Sequence, residues 1–199
     1  MQLDRPTDAP PRRMTLAEWA DMREDEPGEL QDGLLVEEEM PDGLHEVTVA
    51  WLVHMLRAWI AVRGGVVMGS EAKFAVRPGR GRKPDTTVYL PGRRPPMRGL
   101  IRVPPDIAVE VVSTAPSDVR RDRVEKLDEY AAFGVRFYWI IDPAARSFEV
   151  CELGSDGRYV HALGATGGQV QPPGCADLTL DLDSLWSELD RLLQDDTPA

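Results

Sequence analysis

The chain has 199 residues, of which 42% are hydrophobic, so it can form one domain with a sizeable core but hardly two. No apolar run approaches the length of a membrane span, and the polar first residues lack the apolar region of a signal peptide. We therefore expect a cytoplasmic protein without a membrane segment. The two cysteines show no Cys-x-x-Cys spacing, which argues against a zinc site or a disulfide framework.

The formal net charge of −11 argues against a nucleic-acid partner when it is taken alone, but the charge is unevenly distributed. Residues 77–103 hold eight Lys and Arg residues against the single acid Asp85, whereas residues 1–46 hold 14 acids against four arginines. The basic segment therefore surrounds Asp85, and the acidic ends of the chain balance the total charge. A solvated arginine-rich loop on an acidic protein is an equally good interpretation of the charge pattern.

The predicted elements follow a proline-rich tail over 1–13, which we expect to be disordered, and they form one domain over 14–199. Thr15 and Glu18 match a capping box, which predicts a short helix to about residue 24. The remaining predictions are a hairpin over 28–36, a long helix over 44–62, strands over 66–68, 73–76, 86–90 and 107–112, a helix over 117–133, a strand over 135–141, weaker strands over 147–153, 159–163 and near 178–182, and a terminal helix over 183–193. This order predicts a mixed α/β fold on one central sheet.

Two local interpretations accompany these elements. The apolar face of the long helix is predicted from helical spacing, and the run 79–82 is predicted to be a flexible basic loop. The predicted helix face consists of Val47, Trp51, His54, Met55, Ala58 and Val62.

A carboxylate interrupts the buried strand predicted over 107–112. An ionised Glu110 without a partner there would cost several kcal/mol, so it should bind a metal, pair with a cation or be protonated. If the strand that follows Asp85 pairs with this one, both carboxylates can lie on one sheet face and must share a cation or a proton. Oxygen ligands favour Mg²⁺ or Mn²⁺ over zinc, and the backbone carbonyl of Val111 is a third candidate ligand.

Lys126, in the next predicted helix, is the candidate cationic partner. It shares a flank with Arg123 and Tyr130, beside an apolar stripe, and its ammonium can reach inward to the carboxylates. There it could orient or deprotonate an attacking water, or stabilise charge that develops on a phosphate. A structural ion pair with Glu110, or a lysine that only extends along the helix surface, are the alternatives. The predicted stripe consists of Val124, Leu127 and Ala131.

Several motifs between about residues 15 and 145 carry a family resemblance. They are Gly28-Glu29-Leu30-x-Asp32-Gly33, His45 at the start of the long helix, Pro84-Asp85, the strand segment 105–113, Arg121-Asp122 with Lys126 and Tyr130, and the segment 134–143. Together they resemble the Uma family of restriction-endonuclease-like proteins, which belongs to the PD-(D/E)-x-K nuclease superfamily. The resemblance implies a restriction-endonuclease-like α/β core, with a central mixed sheet flanked by helices, that uses Mg²⁺ to hydrolyse phosphodiester bonds of DNA.

The resemblance also implies roles for individual residues. It makes Asp85 the motif aspartate and Glu110 the (D/E) residue, both as metal ligands. The superfamily has a lysine two residues after the acid, but this chain has Val112 at that position. As is usual in the family, the resemblance implies that Lys126 in the helix takes the place of this lysine. The accessory positions are Glu29, His45 and Tyr130. The residue before Glu29 is Gly28, where the family often has Tyr.

We therefore predict a Mg²⁺- or Mn²⁺-dependent endonuclease that acts on DNA, as a homodimer because two sites make it easier to cut both strands. A catalytically silent nucleic-acid- or protein-binding module on the same fold is the alternative, and it would bind DNA without metal. A different metal-assisted hydrolase is a third interpretation, which predicts no salt-sensitive DNA affinity. The predicted DNA contacts are Arg80, Arg82, Lys83, Arg93, Arg94 and Arg123.

Overall fold

The computed structural model describes residues 13–23, 28–36, 42–113 and 121–195. The tail predicted over 1–13 lies outside the described residues except for its last position, and so does the predicted helix segment 117–120. In chain order the elements are α1 (Leu16–Ala20), β1 (Glu29–Gln31), β2 (Leu34–Val36), α2 (Gly43–Ala61), β3 (Val66–Gly69), β4 (Phe74–Arg77), β5 (Arg80–Arg82), β6 (Thr86–Tyr89), β7 (Ile107–Val111), a π-helical turn (Arg121–Glu125) that continues into α3 (Lys126–Phe133), β8 (Phe137–Asp142), β9 (Ser147–Leu153), β10 (Tyr159–Ala165), β11 (Gln169–Val170), β12 (Leu180–Asp181) and α4 (Leu182–Asp195).

A six-stranded mixed sheet forms the centre, in the order β10-β9-β8-β7-β6-β3. Only β7 and β8 run parallel within it, and the chain between them contains α3 as the crossover. A second, antiparallel sheet has the order β2-β1-β5-β4, and β11 pairs with β12. The predicted mixed α/β fold with a central sheet and flanking helices is confirmed.

The two faces of β7 pack against different layers because its side chains alternate. Ile107, Val109 and Val111 share a core with residues of α2 and α4. Ala108 and Val112 face the other way, into a core that includes Tyr130 of α3 and Phe74 of β4. Glu110 has the same parity as Ala108 and Val112, so it projects into the layer formed by α3 and the smaller sheet.

Local sequence signals explain several element boundaries. Thr15 and Glu18 form the predicted capping box of α1, and Asp42 caps α2 by accepting a hydrogen bond from the His45 amide at 2.9 Å. Gly134 ends α3 with a φ of 94°, which a residue without Cβ adopts at little cost. None of the described helices is both long and apolar enough to cross a membrane.

The segment predicted as a flexible basic loop over 79–82 instead contains β5, so that prediction is wrong. Gly81 pairs with Leu30 of β1, and a Cβ at Gly81 would lie 2.4 Å from the Trp19 ring. The glycine is therefore needed for close packing of Trp19 on the strand. The arginines on either side of it have buried or half-buried side chains that are held by acids.

The buried face of α2 also differs from the predicted face. Val62 is 83% exposed and His54 is exposed, so neither lies in the core. The helix carries apolar residues on most sides, and contacts with the sheet and α4 select a neighbouring stripe. That buried stripe consists of Thr48, Leu52, Leu56, Trp59 and Ile60.

Candidate active site

The register between β6 and β7 places Asp85 opposite Glu110. Thr86 pairs with Val109 in this antiparallel ladder, so one further step pairs Asp85 with Glu110, and opposed residues project from the same face. Asp85 Oδ2 accepts a hydrogen bond from the Val111 amide at 2.7 Å. The strands therefore pair as predicted, and their register sets Asp85 opposite Glu110, although Asp85 contacts His45 of α2 and Glu110 contacts α3.

His45, in the first turn of α2, is the second contact of Asp85. Its Nε2 lies 3.3 Å from Asp85 Oδ2. Burial favours the neutral imidazole, but the hydrogen bond and charge of Asp85 outweigh it and raise the pKa of His45. His45 therefore fixes the Asp85 carboxylate through the oxygen that also accepts from Val111.

Glu110 is buried between two side chains of α3. Lys126 Nζ lies 2.9 Å from Glu110 Oε2, and the Tyr130 hydroxyl donates to Oε1 at 2.6 Å. Only 2% of Glu110 and 3% of Lys126 are exposed. The pKa of Tyr130 is raised, because burial and the Glu110 charge both oppose its ionisation. Lys126 thus reaches inward to Glu110, as the sequence predicts.

The buried face of α3 differs from the apolar stripe that the sequence predicts. Val124, which the predicted apolar stripe includes, is 56% exposed, whereas Lys126, Glu129 and Tyr130 are buried. Oppositely charged groups on the two sheets compensate the buried charges, and hydrophobic spacing cannot detect such compensation. The π-helical turn just before Lys126 also changes the helical register that a 3.6-residue period assumes.

Glu29 joins this site through a buried charge network. Arg82, which is 0% exposed, donates from Nη1 to Glu29 Oε2 and from Nε to Glu129 Oε2, the latter at 2.6 Å. The Lys83 amide donates to Glu29 Oε1 at 2.9 Å, and Lys126 Nζ lies 4.0 Å from the same oxygen. Burial would raise the pKa of Glu29, but Lys126 and Arg82 outweigh it and lower the pKa to about 2.

The sequence-based interpretation missed Glu129 and the structural role of Arg82. The available signal was the spacing of Arg80 and Arg82, which lie two residues apart and therefore share one face of a strand. Arg80 Nη1 also contacts Glu129, at 3.1 Å. The prediction that Arg82 contacts DNA is wrong for this structure, because its side chain is enclosed and both its carboxylate partners are internal.

The other predicted DNA contacts near the site are ion-paired but retain some exposure. Arg80 forms two hydrogen bonds with Asp32, at 3.1 and 2.9 Å, and Lys83 lies 2.8 Å from Glu71. Arg123 contacts Glu149 and Asp142.

Arg93 and Arg94 lie farther from the carboxylates than the sequence predicts. They follow the end of β6 that is opposite to Asp85, and Arg93 is bound to Asp106 at 2.6 Å. The basic residues therefore form two separate groups, and only the group before Asp85 lies beside the carboxylates.

The donor set fits a hard divalent cation. Both contacts of Asp85 fall on Oδ2, so its Oδ1 has no partner among the described residues. Mg²⁺ retains several waters and needs only one or two protein carboxylates, which Asp85 and Glu110 can supply. Across the described residues, no group of three or more His, Cys, Asp and Glu side chains is arranged to hold a metal.

The mixed sheet flanked by helices is an α/β fold that this chain shares with a solved structure. The chain is similar to a crystal structure described as a putative nuclease belonging to DUF820 from Anabaena variabilis ATCC 29413, with 20% identity. The TM-score is 0.70, and the match covers 88% of this chain and 99% of that chain.

A family model identifies the family to which the chain belongs. The Uma2 model, described as putative restriction endonuclease, matches residues 15–183, so the chain belongs to the Uma2 family. The family resemblance found in the sequence is confirmed. A comparison with curated proteins gives no match.

Proposed function

We propose that this chain is a Mg²⁺- or Mn²⁺-dependent endonuclease that hydrolyses phosphodiester bonds of DNA. The family and the fold support a nuclease. The observation that supports metal-dependent cleavage of DNA is the opposed pair Asp85 and Glu110, with Lys126 Nζ 2.9 Å from Glu110. Two acids that are opposed in the strand register, with one lysine beside Glu110, would provide both cation ligands and a positive group for a phosphate.

The proposed roles follow from these contacts. Asp85 and Glu110 would hold the cation, with the Val111 backbone carbonyl as a third oxygen ligand. The cation would supply positive charge against the charge that develops on the phosphate. Lys126 would add a second positive charge there, or orient or deprotonate the attacking water. Glu29, whose Oε1 lies 4.0 Å from Lys126 Nζ, would hold the Lys126 ammonium by its negative charge.

Two further side chains would position the acids. Tyr130 fixes Glu110 through a hydrogen bond of 2.6 Å, and His45 fixes Asp85 from the start of α2. The proposed DNA contacts are Arg80, Lys83, Arg93, Arg94 and Arg123. A homodimer would bring two such sites to one duplex, which would make it easier to cut both strands.

One observation favours a second candidate, a catalytically silent binding module. Both oxygens of Glu110 already contact side chains of α3, so Glu110 satisfies a buried lysine without a cation. In that case the charge network only stabilises the fold, and DNA binding, where present, needs no metal.

Nicking of supercoiled plasmid separates the two candidates. Wild type and Glu110→Gln are incubated with Mg²⁺, Mn²⁺ or EDTA at low salt, and plasmid retention is measured under the same conditions. The nuclease proposal predicts nicking that needs metal and is lost in Glu110→Gln. Absence of nicking under every condition, with DNA binding intact in EDTA, would replace it by the silent module.

A further inference from the structure

The segment between β6 and β7 is basic and largely exposed. Residues 91–103, which we name the 91–103 arm, contain four arginines and no acid, in a chain with a net charge of −11. The arm joins the ends of β6 and β7 that lie opposite to Asp85 and Glu110. It is therefore a second basic surface, separate from the residues beside the carboxylates.

Both ends of the arm are fixed to the fold. Arg93 Nη1 lies 2.6 Å from Asp106, which also accepts from the Leu90 amide at 2.8 Å. At the other end, Ile101 exchanges backbone hydrogen bonds with the β4 region at 2.8 and 2.9 Å, and the Tyr89 hydroxyl donates to the Val103 carbonyl at 2.6 Å. These contacts fix both ends of the arm relative to the sheet.

The outer arginines of the arm differ from those of β5. Arg94, Arg98 and Arg102 are exposed, and none has a hydrogen-bond or ion-pair partner among the described residues. Met97 is 74% exposed, so this side of the arm faces solvent. By contrast, Arg80 and the other arginines near the carboxylates are held by acids. The three outer guanidinium groups can therefore each contact a phosphate without breaking an internal ion pair.

The strand ends that carry the arm lie a defined distance from the two acids. Leu90 lies five residues from Asp85 along β6, and Asp106 lies four residues from Glu110 along β7, which corresponds to about 13–17 Å at a strand rise of about 3.3 Å. At about 3.4 Å per base pair, this distance spans about four to five base pairs. DNA is stiff over such a length, so a fixed arm and a fixed site can contact one duplex together.

We propose that Arg94, Arg98 and Arg102 of the arm bind the backbone of duplex DNA about four to five base pairs from the phosphate at the Asp85–Glu110 site. This inference rests on the proposed function for the identity of the partner. It goes beyond that function by making the arm a remote contact that determines affinity for duplex and takes no part in the chemistry.

Salt-dependent binding tests this inference without cleavage. The affinity of a fluorescent duplex of about 20 base pairs is measured in EDTA at several KCl concentrations, for wild type, Arg94→Ala/Arg98→Ala and Arg57→Ala/Arg158→Ala. The control pair removes the same charge from exposed arginines that also lack a side-chain partner among the described residues. Melting temperatures check that all variants fold.

Each lost phosphate contact lowers the slope of log K against log salt by about 0.9. The arm variant should therefore lose about 1.8 from the slope, together with at least about tenfold in affinity at low salt, while the control keeps the wild-type slope. Equal slopes in the arm variant and the control would overturn the inference, as would a wild type that does not bind duplex. Plasmid nicking is scored separately: a slope change without nicking refutes only the nuclease proposal, and nicking without a slope change refutes only the arm.

Discussion

Replacing Arg82 by Met should cost more stability than any other single removal of an arginine near the site. The Arg82 guanidinium is fully buried and contacts both Glu29 and Glu129, so Arg82→Met leaves two internal carboxylates with one partner fewer. Breaking a buried ion pair costs about 3–5 kcal/mol. Since Lys126 remains 4.0 Å from Glu29 and Arg80 remains 3.1 Å from Glu129, we expect about 3 kcal/mol.

The assay is the free energy of unfolding from urea titrations at neutral pH. Arg136→Met is the matched control, because Arg136 is 58% exposed and its contact with Glu152 is 3.4 Å long. We expect the control to lose less than about 1 kcal/mol. Adding Glu29→Gln to Arg82→Met should recover part of the loss, since a buried amide costs less than a buried charge. A loss in Arg82→Met no larger than in the control would refute the reasoning.

The same network predicts acid sensitivity. The pKa of Glu29 is about 2 in the folded chain against 4.5 ordinarily, so its ionisation contributes stability that is fully present above about pH 4.5. That contribution is lost as the pH falls towards 2. Urea titrations between these limits should show a weaker pH dependence in Glu29→Gln than in wild type, and an equal dependence would contradict the assignment.

Three further predictions concern single contacts. In metal-free protein, an NMR titration should place the pKa of His45 above 6.5, and Asp85→Asn should lower that pKa; an unchanged pKa would exclude their contact. The contribution of His45 to stability is fully present below about pH 6.5 and is lost as the pH rises through its raised pKa in the folded chain. Tyr130→Phe removes the hydroxyl that donates to Glu110 and should cost about 1.5–3 kcal/mol in urea unfolding, with a loss under about 0.5 kcal/mol as the contrary result. Gly134→Ala forces a side chain to a φ of 94° and should cost about 1–2 kcal/mol by the same assay, where a more stable variant would be the contrary result.

The sequence was most informative where a charge interrupts an apolar run. Glu110 lies inside a strand that is otherwise apolar, so its burial and its need for a partner follow from strand alternation and the cost of an isolated charge. Asp85 is predicted instead from the Pro-Asp that opens the neighbouring strand, and Lys126 from its position beside the apolar stripe of the following helix. Pairing of β6 with β7 then placed the two acids opposite each other.

The sequence failed where partners distant in the chain determine the structure. Arg80, Gly81 and Arg82 have little strand preference by themselves, and they form β5 because Trp19 packs on the glycine and internal acids hold the arginines. The sequence gives no local signal for such pairs, because the partners lie far apart along the chain. The burial of Lys126 also depends on partners that are distant in the chain, since Glu110 of β7 and Glu29 of β1 compensate its charge.

Binding of Mn²⁺, followed by the loss of its free EPR signal, is the most direct test of the central claim that Asp85 and Glu110 form a cation site. The account predicts that wild type binds Mn²⁺, that Mg²⁺ displaces it, and that Asp85→Asn and Glu110→Gln each weaken binding by at least about tenfold, a loss of about 1.4 kcal/mol. Lys83→Gln, on the neighbouring surface, should bind like wild type. Equal Mn²⁺ affinity in wild type and both acid variants, or no binding in wild type, would contradict the account.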